Sequence, residues 1–306
     1  MKSAILRAAV KRCYSLQVAK RQKTIPDLLQ KYDAKSPISM ITAYDYITAT
    51  WAQNAGTDII LVGDSLAMST LGHESTTDLE FEEFRYHLKS VCKAEGSAFI
   101  VSDVPYGSFE SSIEKGIQAV IDIMKTSSRI GAVKLEVGSH EDDYGLELAK
   151  EICRRGIPLV GHVGLTPQRV HNMGGFKVQG SKSVKQALAV YQRAKDLQDA
   201  GCFSLVLECV PHQIAKVITE KLSIPTIGIG AGPGTSGQVL VVSDVLGMLP
   251  GRIPKFVNAY SNMNEIALSA IEKYINEMNT STFPKIGDHT FSVKDELLEK
   301  FLKGIK

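Results

Sequence analysis

The sequence lacks the features of membrane proteins and of disulfide-linked secreted proteins. No apolar run approaches the roughly 18 residues needed to cross a bilayer. The five cysteines are odd in number and include no C-x-x-C pair, which favours reduced, buried thiols, and no cluster of cysteine and histidine indicates zinc. With 44% hydrophobic and 22% charged residues among 306, the composition excludes a disordered or collagen-like chain. We therefore expect a globular protein with a large core and no membrane partner.

Acidic residues are absent from the first 26 positions, which hold seven of the 35 bases. These are Lys2, Arg7, Lys11, Arg12, Lys20, Arg21 and Lys23. The rest of the chain has 28 bases against 33 acids, so a formal charge of +2 is the sum of +7 and −5. An acidic body offers no basic face for phosphates, and we expect no nucleic-acid partner.

The basic segment also has the pattern of an amphipathic helix. Apolar residues recur at helical spacing at Ile5, Leu6, Ala9, Val10 and Cys13. The segment resembles a mitochondrial presequence, and it has no 7-residue apolar core of a secretory signal. Residues 1–23 are therefore predicted to be a targeting segment of a mitochondrial protein. The alternative is a solvated basic tail on a cytoplasmic protein.

Eight short, β-branched apolar runs follow; seven end in a polar residue or glycine, and most are followed by a segment with helical spacing. They are residues 38–45, 58–64, 98–103, 132–138, 158–164, 203–210, 225–232 and 238–244. Continuous apolar strands of this kind are typical of a parallel sheet covered by helices. Eight such units in about 220 residues predict a single-domain α/β fold, the TIM (β/α)8 barrel.

The helices between the strands are indicated by apolar stripes and glycines. Stripes run from Ile113 to Met124 and from Val184 to Leu197. Four strands follow a glycine suited to a helix C-terminus, at Gly56, Gly131, Gly156 and Gly201. Two connections, residues 65–79 and 165–183, are unusually long and are predicted to be functional lids.

Polar residues mark the carboxyl ends of the predicted strands. They are Asp45, Asp64, Ser65, Asp103, Lys134, Glu136, His162 and Glu208. In a barrel these ends meet on one face, where this fold places its chemistry. So many carboxylates would repel one another unless a cation or a substrate lay among them. Asp64, Asp103 and Glu136 offer the hard oxygen ligands that suit Mg²⁺, although each acid alone could be an ion-pair partner or a helix cap.

Individual roles can be assigned within this group. Lys134 and Glu136 are two apart on one strand and point to the same side, so Lys134 either pairs with an acid or binds a substrate carboxylate or keto oxygen. His162 is a catalytic candidate or a satisfied core histidine. Glu208 has apolar neighbours that should raise its pKa, which makes it the predicted general base.

A glycine-rich segment, GPGTSG with Gly232, Gly234 and Gly237, matches the G-x-G-x-x-G pattern. A dinucleotide site expects this turn in the first βα unit, whereas here it follows the seventh strand. Tight turns are the favoured interpretation, and a phosphate pocket is the alternative.

Nine segments in order carry a resemblance: ITAYDY, LVGDSL, SDVPYGS, VKLEVG, GHVGLTPQ, GGFKVQG, LECVP, IGIGAG and IPKF. Together they resemble the ketopantoate hydroxymethyltransferase family over residues 24–291. The resemblance implies a TIM barrel that transfers a one-carbon unit from 5,10-methylenetetrahydrofolate to 3-methyl-2-oxobutanoate through a Mg²⁺-stabilised enolate, giving 2-dehydropantoate for pantothenate and coenzyme A synthesis. It also implies a large homo-oligomer, with a decamer as one candidate size.

By the same resemblance Asp64, Asp103 and Glu136 belong to the Mg²⁺ site, while Asp64, Ser65, Asp103 and Lys134 contact the keto acid and Glu208 is the base. Residues 292–306 are predicted to be an additional amphipathic helix. Two other functions remain open: a Mg²⁺-dependent lyase of the phosphoenolpyruvate mutase and isocitrate lyase type, which usually carries a catalytic cysteine loop, and a non-catalytic barrel scaffold.

Overall fold

The computed structural model describes residues 21–138, 143–251 and 253–305, so most of the predicted presequence, residues 1–23, lies outside it. Eight parallel strands close into a barrel in chain order. The strands are β1 Ile38–Thr42, β2 Ile59–Val62, β3 Phe99–Asp103, β4 Ile130–Glu136, β5 Leu159–Gly164, β6 Ser204–Glu208, β7 Thr226–Ile229 and β8 Gly237–Leu240. The predicted TIM barrel is therefore confirmed, and each predicted strand overlaps an observed one.

Twelve helices accompany the strands in the described residues. They are α1 Ile25–Asp33, α2 Tyr46–Ala55, α3 Leu66–Ser69, α4 Phe81–Val91, α5 Ile113–Thr126, α6 Asp143–Arg154, α7 Val170–Met173, α8 Val184–Ala200, α9 His212–Lys221, α10 Val242–Leu246, α11 Met263–Asn279 and α12 Asp295–Gly304. None of these helices is both long enough and apolar enough to span a membrane.

The barrel core follows from strand alternation. Successive side chains of a strand point to opposite faces, and every strand sends one apolar residue or more into a single buried cluster. Its members are Leu28, Ile38, Met40, Ile59, Leu61, Phe99, Val101, Ala132, Val160, Val206, Ile227 and Val239. The position two residues after such a core residue points the same way, so the last residues of the strands line the carboxyl mouth of the barrel.

Helix ends are set by local capping. The Ser112 side chain accepts a hydrogen bond from the Lys115 amide at the start of α5, and Gly201 ends α8 with φ +107°. The prediction for Gly131 was wrong, because this residue lies inside β4 and α5 has already ended at Thr126. A Cβ on Gly131 would lie 2.2 Å from a ring carbon of Phe99, so close packing explains that glycine.

Helix α8 departs from its predicted stripe. Val184 and Leu188 are 76% and 59% exposed, whereas Val190 and Leu197 are buried. The side packed on the barrel also includes Arg193, which is 1% exposed. Apolar spacing alone therefore placed the helix correctly but misidentified part of its buried face.

The described chain divides into two compact units. The first is the described part of Met1–Val242 together with Ile253–Val257 and contains the barrel; the second comprises Ser243–Arg252 and Asn258–Lys306, apart from its undescribed residues. The second unit holds α11 and α12, neither of which has a buried residue. Helix α12 lies within the segment 292–306 for which a helix was predicted.

Candidate active site

The polar residues predicted from the strand ends converge at the mouth of the barrel. Asp103, Lys134, His162 and Glu208 each lie two residues beyond a core residue of their own strand, so their side chains point into the barrel above the apolar cluster. The strand register places Asp103 beside Lys134 and Glu136 beside His162. Side chains from four consecutive strands, β3 to β6, thus form one polar group, which is buried except for the partly exposed Glu208.

Lys134 is the cation at the centre of this group. Its Nζ atom lies 3.0 Å from Asp103 Oδ1, 3.7 Å from Glu136 Oε1 and 3.2 Å from His162 Nδ1. Burial alone would lower the pKa of Lys134, but the carboxylates of Asp103, Glu136 and Asp64 outweigh that effect and raise it above its ordinary value. Lys134 is therefore a fixed positive charge at neutral pH.

The hydrogen bonds of His162 determine its protonation. A lysine ammonium can only donate, so His162 Nδ1 accepts from Lys134, and Nε2 carries the proton that is donated to the Leu165 carbonyl at 2.8 Å. Burial and the nearby charge of Lys134 hold the pKa of His162 well below its ordinary value. The ring is thus neutral, and its Nε2 also lies 3.4 Å from Glu208 Oε2.

Gln168 is hydrogen-bonded to two of the predicted acids, although it was not itself predicted as a site residue. Its backbone amide donates to Glu136 Oε2 at 3.0 Å, and its side-chain Nε2 donates to Asp64 Oδ2 at 2.7 Å and to the Val104 carbonyl at 3.0 Å. The residue comes from the long connection after β5 and is 4% exposed. Its only signal in the sequence was its position in GHVGLTPQ, a few residues after His162.

The carboxyl groups outnumber the cation at this site. Burial is the first cause that raises the pKa of Asp64 well above its ordinary value, and the neighbouring acids Asp103 and Glu136 add to it. Burial likewise raises the pKa of Glu136 and of Glu208 to about 8, against the lowering effect of Lys134. Burial and mutual repulsion thus oppose the joint ionisation of these three acids despite Lys134, and a bound cation would favour their ionised forms.

The donor set suits a hard cation only in part. Asp64 and Asp103 are adjacent, because the Asp64 amide donates to Asp103 Oδ2 at 3.0 Å. Asp103 Oδ1 is buried and makes no well-aligned hydrogen bond in the described residues, although Lys134 is near it. No group of three or more acidic, histidine or cysteine side chains in the described chain is arranged to hold a metal ion. A cation here would take one or two carboxylates and complete its shell with other oxygens, as Mg²⁺ typically does.

Ser65 and Asp45, two further residues predicted from the strand ends, have other contacts than the group around Lys134. Ser65 is half-buried and shares a 2.8 Å hydrogen bond between its Oγ and the Tyr44 hydroxyl. Gly63 lies two residues before Ser65, and a Cβ on Gly63 would lie 2.9 Å from Ser65 Oγ. Asp45 is the N-cap of α2, with Oδ1 accepting from the Thr48 amide at 2.7 Å, so for this acid the capping interpretation is correct.

The backbone around Glu208 is tightly held. The next residue, Cys209, has φ +48°, an uncommon conformation for a side chain other than glycine. Opposite it, a Cβ on Gly164 would lie 2.2 Å from the Glu208 carbonyl oxygen. Burial, with the Glu208 carboxylate, raises the pKa of the Cys209 thiol to about 12, so this thiol is not a nucleophile at neutral pH.

The connection 165–183 is fastened to the end of β6 at both sides. The Leu165 amide donates to the Glu208 carbonyl, and the Gln179 amide donates to the Cys209 carbonyl, each at 2.9 Å. Beside this connection lies a cavity of about 460 Å³ whose lining includes Thr166, Asn172 and Met173. The predicted long loop therefore exists, and it borders both the acidic group and a cavity.

The glycine-rich segment has a packing role. A Cβ on Gly232 would lie 2.3 Å from His212 Cβ, and one on Gly234 would lie 2.8 Å from Lys216 Cβ. Gly237 is the first residue of β8, where a Cβ would lie 2.2 Å from the Ile38 carbonyl oxygen. Close contacts with α9 and β1 account for the three glycines. Of the three, Gly232 alone also has the positive φ, +78°, that a tight turn would need.

Solved structures with this fold include a phosphonopyruvate hydrolase in complex with oxalate and Mg²⁺, with a TM-score of 0.56 at 11% identity over 92% of this chain and 97% of that one. A 2,3-dimethylmalate lyase of the PEP mutase/isocitrate lyase superfamily has a TM-score of 0.56 at 13% identity, over 93% and 94% of the two chains. At such identity these likenesses concern the fold alone.

Sequence comparison is more specific. The chain is 53% identical over 286 residues to the 3-methyl-2-oxobutanoate hydroxymethyltransferase of Saccharomyces cerevisiae, covering 93% of this chain and 92% of that protein. The protein of the same name from Carboxydothermus hydrogenoformans is 42% identical over 90% of this chain and 98% of its own length. The sequence model of ketopantoate hydroxymethyltransferase matches residues 22–286. The chain therefore belongs to the ketopantoate hydroxymethyltransferase family.

Proposed function

We propose that this chain is a 3-methyl-2-oxobutanoate hydroxymethyltransferase. It transfers a one-carbon unit from 5,10-methylenetetrahydrofolate to 3-methyl-2-oxobutanoate and yields 2-dehydropantoate, the first step toward pantothenate. The observation that carries the proposal is the buried group at the barrel mouth, where one lysine faces four acids in a chain of this family.

Mg²⁺ is the proposed metal, and Asp64, Asp103 and Glu136 are the acids of its site; one or two would bind it directly and the rest through water. The excess of buried acid and the hard oxygen donors support this assignment. When bound, the ion supplies Lewis-acid polarisation of the keto oxygen of the substrate.

The protein side chains bind the substrate, remove its proton and hold Lys134 in position. Asp64, Ser65, Asp103 and Lys134 are the proposed contacts of the keto acid. Lys134 and Ser65 would donate to its carboxylate and keto oxygens, since the fixed charge of Lys134 complements the negative charge that develops there, and Asp64 and Asp103 would contact it through the metal. Glu208 takes the proton from C3 of the keto acid, and C3 then forms a carbon–carbon bond with the methylene carbon of the folate. The two carbon–nitrogen bonds of that carbon break, so that tetrahydrofolate leaves and water supplies the hydroxyl group. Neutral His162 accepts from Lys134 and so holds its ammonium in place.

The second substrate needs a place beside this group, and the cavity of about 460 Å³ is the proposed site for the pterin of the folate. Thr166 and Arg169 come from the same turn as Gln168 and line the cavity, while Gln168 itself contacts the acids. Polar side chains such as Asn172 and apolar ones such as Met173 both face it, which suits a flat heteroaromatic ring with polar edges.

The wild-type protein is expected to exchange the C3 hydrogen of 3-methyl-2-oxobutanoate with D₂O when Mg²⁺ is present and folate is absent. Proton abstraction by Glu208 requires only the keto acid and the metal, because the folate enters after C3 has lost its proton. Proton NMR would follow the loss of the C3 signal, with EDTA as the control. Purified, folded protein that produced no exchange would contradict the proposed mechanism.

Asn172→Ala is expected to raise KM for the folate by about 2- to 12-fold, because it removes a hydrogen bond worth about 0.5–1.5 kcal/mol. Folate-free exchange of the keto acid should stay at the wild-type rate. Steady-state kinetics would measure the first effect and NMR the second. Asn54→Ala, at an exposed position on α2, is the matched control, and an unchanged KM for Asn172→Ala would remove the cavity from the proposal.

The lyase alternative requires a reactive cysteine loop. Cys209 is the cysteine beside Glu208, and its raised pKa argues against that chemistry. A non-catalytic scaffold is disfavoured because buried, mutually repelling acids cost stability unless they are used.

Self-association and a mitochondrial location complete the proposal. Exposed apolar residues on α11 and α12, among them Ile266, Ile271 and Phe301, support a homo-oligomer, because monomeric proteins rarely expose large apolar surfaces.

The basic, acid-free composition of residues 1–23 supports mitochondrial targeting.

A further inference from the structure

Gln168 contacts the ends of several strands at the barrel mouth. Its side-chain amide contacts Asp64 after β2 and the Val104 carbonyl after β3, and its backbone amide contacts Glu136 at the end of β4. Gln168 itself belongs to the connection that follows β5. One residue thus ties together the ends of four neighbouring strands.

The orientation of the Gln168 amide follows from its partners. Asp64 Oδ2 and the Val104 carbonyl are both acceptors, so they must face the NH₂ group, and the carbonyl Oε1 must point elsewhere. Oε1 is buried and accepts no hydrogen bond within the described residues. A buried acceptor left unmatched costs about 1–3 kcal/mol, so Oε1 is available to a water or hydroxyl group that enters the site with a ligand.

We propose that Gln168 is a positioning residue that fixes the carboxylates of Asp64 and Glu136 for the divalent cation and, through the same bonds, docks the connection 165–183 on the barrel mouth. The inference rests on the proposed function for the identity of the metal. Gln168 is thereby added to the proposed site as a residue that contacts the acids and holds them in position. Without the amide of Gln168, the Asp64 carboxylate can rotate away from its acidic neighbour Asp103.

The test is the Gln168→Met substitution, which keeps the length and volume of the side chain but removes its hydrogen bonds to Asp64 and the Val104 carbonyl. The backbone bond to Glu136 stays, so the variant tests the side-chain contacts. Hydrogen-bond partners of metal ligands typically contribute 10- to 100-fold in metal affinity, so we expect the Kd for Mn²⁺ alone, measured by electron paramagnetic resonance, to rise about 10- to 100-fold. Amide hydrogen exchange of residues 165–170 should also become faster than in the wild type. Gln192→Met, at an exposed position on α8, is the matched control and should match the wild type in both measurements.

Gln168→Asn provides a second variant that keeps a polar amide at the buried position. Its side chain is one methylene shorter, about 1.5 Å, so the 2.7 Å hydrogen bond to Asp64 is lost and the Kd for Mn²⁺ should again rise. Folded variants that bind Mn²⁺ with the wild-type Kd would overturn the role of Gln168 and leave the proposed function intact. Wild-type protein that failed to bind Mn²⁺ would overturn both this role and the metal site.

Discussion

Glu208→Gln is expected to slow folate-free exchange of the C3 hydrogen by about 10²- to 10⁴-fold, the usual contribution of a positioned general base. Glutamine has the shape of glutamate but cannot accept a proton at neutral pH. Because Glu208 lies at the end of β6, bounded by Gly164 and Cys209, the substitution should leave the backbone and Mn²⁺ binding unchanged. Proton NMR in D₂O would measure the exchange rate.

The pH dependence of exchange provides a second readout for Glu208. Burial raises its pKa to about 8, and the base is active only when deprotonated. Exchange requires Mg²⁺, and a bound cation lowers the pKa of a neighbouring acid. The wild-type exchange rate should therefore rise with pH and level off below about pH 8. The Glu208→Gln variant should show no such rise.

Glu220→Gln is the matched control, since Glu220 is an exposed glutamate on α9. It should exchange at the wild-type rate throughout the pH range. If Glu208→Gln retained the wild-type rate and pH profile, Glu208 would be excluded as the base and another acid of the group would have to take its place.

Lys134→Met is expected to reduce the free energy of unfolding by about 3–5 kcal/mol in the presence of EDTA, because it leaves buried carboxylates without their cation. The pKa values of Glu136 and Glu208, about 8 in the folded protein, lie above the ordinary value of 4.5. Between these values the folded state binds more protons than the unfolded state, so stability falls as the pH rises from about 4.5 to 8. Lys134 lowers both pKa values and so stabilises the ionised acids that form as the pH approaches 8. The loss in the variant should therefore be larger at pH 8 than at pH 6.

Urea unfolding at the two pH values, followed by circular dichroism, would measure this effect. Lys195→Met is the matched control, because Lys195 forms an exposed pair with Asp199 on α8 at 2.5 Å. Such pairs contribute about 0.3–0.5 kcal/mol, so the control should be nearly as stable as the wild type. A loss below about 1 kcal/mol for Lys134→Met would contradict a central role of Lys134 in the buried group.

The fold could be predicted because eight short apolar runs recur along the chain and most are followed by a segment with helical spacing. Alternation along the strands is enough to place Asp103, Lys134, His162 and Glu208 on one interior face. The contacts of Gln168 could not be predicted in this way, because its position depends on the path of a long connection and not on a repeating pattern.

Local ambiguities were resolved by packing. An acid at a strand end serves equally well as a helix cap, which is the role of Asp45, and only its hydrogen bonds distinguish the two. A glycine before a strand can end a helix or make room for a ring, as Gly131 does for Phe99. The roles of the acids toward metal and substrate remain predictions, which the measurements above address.

The glycine that ends β5 limits how this enzyme can diverge. A side chain at position 164 would meet the Glu208 carbonyl oxygen at 2.2 Å and displace the strand that carries the proposed base. Glycine also suits the backbone there, where φ is +100°. A variant with a different connection over the barrel mouth must therefore keep this glycine and introduce its changes after residue 164. Position 164 is thus the boundary between the strand that supports the proposed base and the connection 165–183.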